Sequence, residues 1–181
     1  DTPIMPIVDD AHKKFKEMVR EGAKRKLIGK GSEYLERLRY EMSVIESRGY
    51  EDYFIVVSEE IKWAIENEIE IGKGRGSGAG SLVSYVLDIV DVDPIEHGLF
   101  FERFLDVTRA KFPDIDTDIE DERRQEFFDH LREKYGESRV ANIRNHVRLG
   151  GRSAMKEALK LYEIPFKESN AVSYTHLRAH E

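Results

Sequence analysis

Five glycines alternate through nine residues, at Gly72, Gly74, Gly76, Gly78 and Gly80. No regular helix or strand interior tolerates that density, because glycine loses more backbone freedom on ordering than any other residue. The stretch is therefore a loop, and its flanks say what kind. Before it, Glu68-Ile69-Glu70-Ile71 alternates polar and apolar residues as a short strand does. After it, Ser81 to Leu87 is apolar and reads as a helix. A glycine loop between a strand and a helix points backbone N–H groups at one spot, with the helix N-terminus behind them. That arrangement is an anion site, most often for phosphate. Lys73 and Arg75 add positive charge, and Ser77 and Ser81 add hydroxyl donors.

The loop fits some phosphate motifs and not others. A Walker loop needs Gly-Lys followed by Ser or Thr, but Gly74 follows Lys73. A nucleophile elbow needs Gly-x-Ser-x-Gly, and neither Ser77 nor Ser81 has it. The dinucleotide fingerprint does match, as Gly74-x-Gly76-x-x-Ala79, with Asp91 and Asp93 near the ribose-binding offset. A dinucleotide-binding oxidoreductase therefore stands as an alternative reading.

The second loaded stretch is Pro113-Asp-Ile-Asp-Thr-Asp-Ile119. In an extended chain alternate residues share a face. Asp114, Asp116 and Asp118 then point one way, and Ile115, Thr117 and Ile119 the other. Adjacent carboxylates repel one another unless a cation sits among them. Hard oxygen ligands suit Mg²⁺, which takes one or two carboxylates and completes its shell with water and substrate phosphate. An EF-hand loop would need Gly and Glu where Ile119 and Gln125 stand, so it is excluded. A solvated acidic edge strand is the structural alternative. Together, a phosphate-cradling loop and metal-binding carboxylates are what nucleotidyl transfer with two Mg²⁺ ions needs.

Around these motifs the apolar pattern is mostly helical. Residues 10–27 put Ala11, Phe15, Met18, Val19 and Ala23 on one face, with Asp9 or Asp10 as cap. A second helix starts near Glu33, with Leu35, Leu38, Met42 and Ile45 inward and Gly49 as its stop. A third runs from Tyr53 to about Glu66 and carries Phe54, Val57, Ile61, Trp63 and Ile65. Asp93-Pro94 opens a short helix that includes Phe100, Phe101 and Phe104, and further helices are expected over 120–135 and 152–162. His12, His97, His130 and His146 are isolated and read as poor metal ligands. His176 and His180 have ligand spacing but lack the Glu of a zincin motif.

Composition narrows the class. The chain has 181 residues, 40% hydrophobic and 36% charged, with no Cys. It suffices for one domain or one plus part of a second, and disulfides and Cys-based zinc sites are excluded. No apolar run reaches the roughly 18 residues of a membrane span. The first residues lack a signal-peptide pattern. A cytoplasmic protein with no membrane partner is expected. The net charge of -7 argues against tight non-specific nucleic-acid binding. The acid is concentrated in 106–138, whereas 139–181 is basic. There Arg144, Arg148, Arg152, Lys156 and Lys160 recur every four residues, interrupted by Gly150-Gly151. Residues 171–181 fit nothing before them.

Four blocks in order, Arg75-Gly-Ser-Gly-Ala-Gly-Ser-Leu82, Asp93-Pro94, Phe101-Glu-Arg-Phe-Leu105 and Pro113-Asp-Ile-Asp-Thr-Asp118, resemble the bacterial DNA polymerase III alpha-subunit family, the C-family replicative polymerases. The resemblance spans about 33–166 and is most specific over 72–118. It implies an α+β fold: an incomplete palm of the polymerase beta-like nucleotidyltransferase class, a mixed sheet with flanking helices. It implies a DNA-directed DNA polymerase acting in replication on primer-template DNA and dNTPs, with two Mg²⁺ ions and other replisome subunits as partners. By the same resemblance, Asp114 and Asp116 are two of three catalytic carboxylates and, with Asp118 in support, hold metal. Gly76 and Ser77 are the triphosphate-binding pair, and Arg75 and Arg103 face the phosphates. Arg144, Arg148 and Arg152 would meet the DNA backbone. The implied organisation is a helical part of the palm region over 1–71, the palm core over 72–143, the start of the thumb over 144–166 and a non-native tail over 167–181. The third carboxylate falls beyond residue 181, so this fragment alone is expected to be inactive. Lys73 stands where a proline is common, Asp106-Val107 where Asn-Pro is usual, and Ile119 where Phe is usual.

Overall fold

Three amphipathic helices open the chain: α1 (Ala11–Lys26), α2 (Ser32–Arg48) and α3 (Glu51–Glu66). The computed structural model describes residues 6–73, 76–105, 112–142 and 145–177. The chain forms two units, Asp1–Val140 and Ala141–Glu181. In the first unit β1 (Ile71–Gly72) leads into a 3₁₀ turn at Ser77–Gly80 and the short α4 (Leu82–Val86). A second 3₁₀ turn at Phe101–Arg103, then β2 (Asp118–Ile119), α5 (Arg124–Tyr135) and a 3₁₀ turn at Glu137–Arg139, follow in it.

The apolar stripes of the three helices close around α4. Phe15, Ile45, Phe54, Ile55, Leu82 and Phe101 are fully buried there. Gly22 sits mid-helix in α1 because nothing larger fits, since a Cβ there would stand 2.0 Å from the Val86 carbonyl oxygen. The helix accepts the conformational cost of a glycine and gains backbone-to-backbone contact with α4. A smaller cluster of Ala64, Ile69 and Phe127 seats α5 on α3. Beside it Trp63 stacks on His130 at 3.7 Å. Glu60 takes up Lys134 Nζ at 2.8 Å and the Tyr135 hydroxyl at 2.6 Å, and His130 Nε2 lies 2.9 Å from its other oxygen. Burial, and then the Glu60 bond and charge, push the Tyr135 phenol up to about 12.

Several expectations shift in phase or length. On α2 the inward residues are Tyr34, Leu38, Glu41, Val44 and Ile45, while Leu35 is 50% exposed and Met42 half-buried. Hydropathy alone keeps a glutamate off an inner face, but the Glu41 carboxylate has partners there. On α3, Ser58 and Ala64 turn inward and Ile65 is 47% exposed, with the Ser58 hydroxyl donating to the Leu87 carbonyl at 2.8 Å. Asp10 holds the N-cap position of α1, but its side chain makes no capping bond.

The strand expected over 68–71 contributes only Ile71 to the ladder. Glu68 adopts φ 58, and the Glu68 and Ile69 N–H groups close the end of α3 onto the Ile65 and Ala64 carbonyls. The strand expected over 113–119 pairs only through Asp118 and Ile119. The helix expected from Asp93 is a turn followed by the 3₁₀ turn, and α5 starts at Arg124, not Glu120. Among the described residues the sheet is one antiparallel pair, Ile71 with Ile119 and Gly72 with Asp118. The α+β class holds, dominated by helix. The mixed sheet expected for a palm is not present among these residues.

In the second unit α6 (Gly151–Leu161) packs on α7 (Phe166–Leu177). Helix α7 lies in the stretch expected to stand outside the fold. Residues 145–150 carry no regular structure, so Arg148 is off the helix that holds Arg152, Lys156 and Lys160. Arg144 lies outside the described residues. No described helix is long and apolar enough to cross a membrane.

Candidate active site

The two motifs face each other. The β1–β2 pairing lays the start of the glycine loop beside the end of the carboxylate segment. Further along, Gly76 turns with φ 74, and a Cβ on it would stand 3.0 Å from Asp116 Oδ2. Glycine suits both demands, a positive φ and a carboxylate oxygen nearer than an ordinary Cβ contact. Gly78 in turn lies against Ile115. Asp114, Asp116 and Asp118 are exposed, whereas Ile115 and Ile119 are half-buried, so the alternation read from the sequence holds. Asp114 and Asp116 make no hydrogen bond or ion pair among the described residues.

Helix α3 holds the carboxylate side. Phe112 packs its ring against Tyr50 and Tyr53, with centroids 5.0 and 4.9 Å apart. The Ile115 N–H donates to the Tyr53 hydroxyl at 2.9 Å. That bond replaces the ladder bond a longer strand would have supplied. Burial pushes the Tyr53 phenol up to about 12. The Ile115 bond opposes this, and the charges of Asp114 and Asp116 add to it.

Helix α2 holds the loop side. Glu41 is fully buried and accepts from Arg37 Nε at 2.6 Å, the Ser81 hydroxyl at 2.8 Å and the Val83 N–H at 3.0 Å. Arg37 also donates to the carbonyls of Gly80 at 2.9 Å and Leu99 at 3.3 Å. Ser81 caps α4 by accepting from the Ser84 N–H at 3.1 Å. Burial pushes the Glu41 carboxyl up, against the pull of these partners. One turn earlier the Tyr34 hydroxyl donates to Asp93 at 3.0 Å, and Asp93 caps Ile95 and Glu96. Burial works against ionisation of Asp93, but those N–H groups, Tyr34 and Lys30 hold its carboxyl below the usual range.

The remaining expected residues are placed unevenly. Ser77 is exposed at the start of its turn, whereas Ser81 serves the scaffold. Arg103 is exposed in the turn that packs against Ser77–Gly80. Lys73 pairs with Asp91 at 3.5 Å. Arg75 and Gly74 lie outside the described residues. No three His, Asp or Glu side chains converge as a ready metal site among the described residues. The dinucleotide alternative needs a parallel β–α–β unit with a helix running on from the loop. Here the pair is antiparallel and α4 spans five residues, so that reading falls.

A family model described as the bacterial DNA polymerase III alpha NTPase domain matches residues 13–180. DNA polymerase III subunit alpha of Staphylococcus aureus (strain MRSA252) is 45% identical over 165 residues, 91% of this chain and 16% of that protein. The chain belongs to the bacterial DNA polymerase III alpha-subunit family. The Thermus aquaticus protein of that name is 43% identical over 139 residues, 77% of this chain. The Ureaplasma parvum one is 43% identical over 157 residues, 84% of this chain. The chain spans only 11% and 16% of the length of these last two family members.

Sequence reasoning missed the residues that hold the site in place. Glu41, Arg37 and Tyr53 were given no role. Two signals bore on them: Tyr40-Glu-Met-Ser-Val-Ile45 and Tyr53-Phe54 also agree with the family, though less tightly than the four blocks, and Glu41 is an acid on the stripe Tyr34, Leu38, Glu41, Ile45 at helical spacing.

Proposed function

We propose that this chain is part of the palm of a replicative DNA polymerase, which transfers a dNMP from a dNTP to a primer 3′-hydroxyl. Residues 72–143 form the palm core, 1–71 its helical support, and α6 opens the thumb. The observation that carries this reading is the close approach of Gly76 to Asp116, beside a second carboxylate, Asp114, that makes no hydrogen bond or ion pair among the described residues. A phosphate loop needs no carboxylate against it unless a cation lies between the two charges.

In this reading the Gly76 and Ser77 N–H groups and the Ser77 hydroxyl hold the triphosphate. Arg75 and Arg103 balance its charge. Asp114 and Asp116, with Asp118 in support, are the hard oxygen donors that suit Mg²⁺. When bound, two such ions lower the pKa of the attacking hydroxyl and neutralise the leaving pyrophosphate. The protein's own contribution is position and charge, which is most of what phosphoryl chemistry asks of a protein. In the same reading Arg144, Arg148 and Arg152 meet the DNA backbone.

The test is a titration of the chain with Mn²⁺ in the presence of dATP, followed by water-proton relaxation. Specific binding that weakens by about tenfold or more in Asp114→Asn and Asp116→Asn is expected, because each substitution removes a charged ligand. Equal binding by wild type and both variants would remove the metal assignment.

A further inference from the structure

A groove of about 610 Å³ lies between α1 and α2, and no residue of the candidate active site lines it. Its floor is apolar, formed chiefly by Leu27, Leu35, Leu38 and Met42. Its charged lining is Lys16, Arg20, Lys24 and Arg39, four cations with no carboxylate among them. In a chain of net charge -7 that is a local reversal of sign. Lys16 leans on Glu46 at 3.6 Å and on His12 at 2.7 Å. Arg20, Lys24 and Arg39 are exposed and make no hydrogen bond or ion pair among the described residues. Leu35, on the first turn of α2, is 50% exposed.

We propose that this groove docks an acidic amphipathic helix of a partner protein. The floor takes the apolar stripe of such a helix, repeated at i, i+3, i+4 and i+7. The cations meet acids flanking that stripe, which steer encounter and fix orientation. A nucleic-acid backbone would use the cations but leave Leu35 and Met42 in water. A lipid surface would favour a protruding apolar face over a concave one. The acidic helix uses both features of the groove.

The test is fluorescence anisotropy with the full 181-residue chain and a fluorescein-labelled, about 18-residue Leu/Glu amphipathic helix, about 27 Å long. A Leu/Lys helix of the same pattern and a short labelled DNA duplex are run beside it. The Leu/Glu helix is expected to bind, with affinity falling as salt rises. Arg20→Glu with Arg39→Glu is expected to weaken binding by about tenfold or more, since like charges then face each other. Leu35→Ser, a separate variant, is expected to weaken it by about fivefold through the floor. All these side chains are exposed, so unchanged melting temperatures confirm that the variants fold. Four results overturn the proposal. The first is no binding of the Leu/Glu helix, and the second is binding indifferent to the charge reversal. The third is equal binding of the Leu/Lys helix. The fourth is tighter, reversal-sensitive binding of the duplex, which assigns the surface to nucleic acid.

Discussion

The two sides of the candidate site are held by different physics. On the loop side, α2 reaches over with polar side chains: Arg37 and Glu41 bind the chain around Gly80 to Val83, and Tyr34 binds Asp93. On the carboxylate side, α3 offers aromatic surface: Tyr50 and Tyr53 grip Phe112, and one phenol hydroxyl holds the Ile115 N–H. The loop is thus fixed by a buried, charged network that stands or falls as a unit. The carboxylate segment is fixed by packing and single bonds, which fail one at a time. On the proposed reading, the charged network sets the position of the loop, and the packed segment presents the acids to it.

Glu41→Ala breaks the network on the loop side and should have the largest effect. It strands the Arg37 guanidinium, the Ser81 hydroxyl and the Val83 N–H together. Removing one partner of a buried ion pair costs about 3–5 kcal/mol. Denaturant unfolding should show a loss in that range. Glu41→Gln should recover part of it, because an amide oxygen still accepts from Ser81 or Val83. A loss under about 1 kcal/mol, the scale of an exposed pair, would mean the network is not a unit.

Tyr53→Phe breaks one bond of the carboxylate side and keeps the ring against Phe112. Leaving the Ile115 N–H without its acceptor should cost about 1–2 kcal/mol. The effect should also be local. Amide exchange should quicken at Ile115 and its neighbours while Leu82 to Val86 stay protected. Equal quickening on both sides would show that the two are coupled and the contrast is false.

Asp93→Asn sharpens the comparison through pH. The Asp93 carboxyl is held below its ordinary value of 3.8 in the folded chain. A depressed carboxyl adds stability that is complete above the unfolded value and is lost as pH falls through the folded one. Wild type should therefore lose stability below about pH 4, in step with that ordinary carboxyl value, and Asp93→Asn should flatten that limb. At neutral pH the substitution should cost about 1 kcal/mol, the worth of a weakened hydrogen bond to Tyr34. An unchanged acid limb in the variant would assign the acid loss to other carboxylates.

What was legible in the sequence follows the same division. The glycine loop and the alternating aspartates can be read because their residue types are unusual for any regular element and so point to chemistry. Their supports cannot. Tyr53 looks like one more aromatic on a core helix, and Glu41 like a solvated acid between Tyr40 and Met42. The short strands were overread for a related reason. Alternation of side chains is visible in Glu68 to Ile71, but the turn that ends α3 at Glu68 depends on backbone bonds that leave no mark on residue type. On α2 Leu38 and Ile45 face inward as the pattern predicts, but Tyr34 and Glu41 are buried where Leu35 and Met42 are expected, because a satisfied buried glutamate breaks the hydropathy rule.

Asp116→Asn should have the smallest effect on folding, and that is its use. Asp114 and Asp116 are exposed, adjacent on one face and without bonds among the described residues, so no described bond of the fold depends on their charge. Exposed substitutions away from caps, cores and networks shift stability by about 0.5 kcal/mol or less. Here the sign should be slightly favourable, because like charges facing one another are relieved. Thermal unfolding of Asp116→Asn beside wild type reads this directly. A clear loss of stability would show that the carboxylate serves the fold, and the contact with Gly76 would then be a packing feature. No loss, together with the loss of Mn²⁺ binding, leaves the acid with a task outside folding.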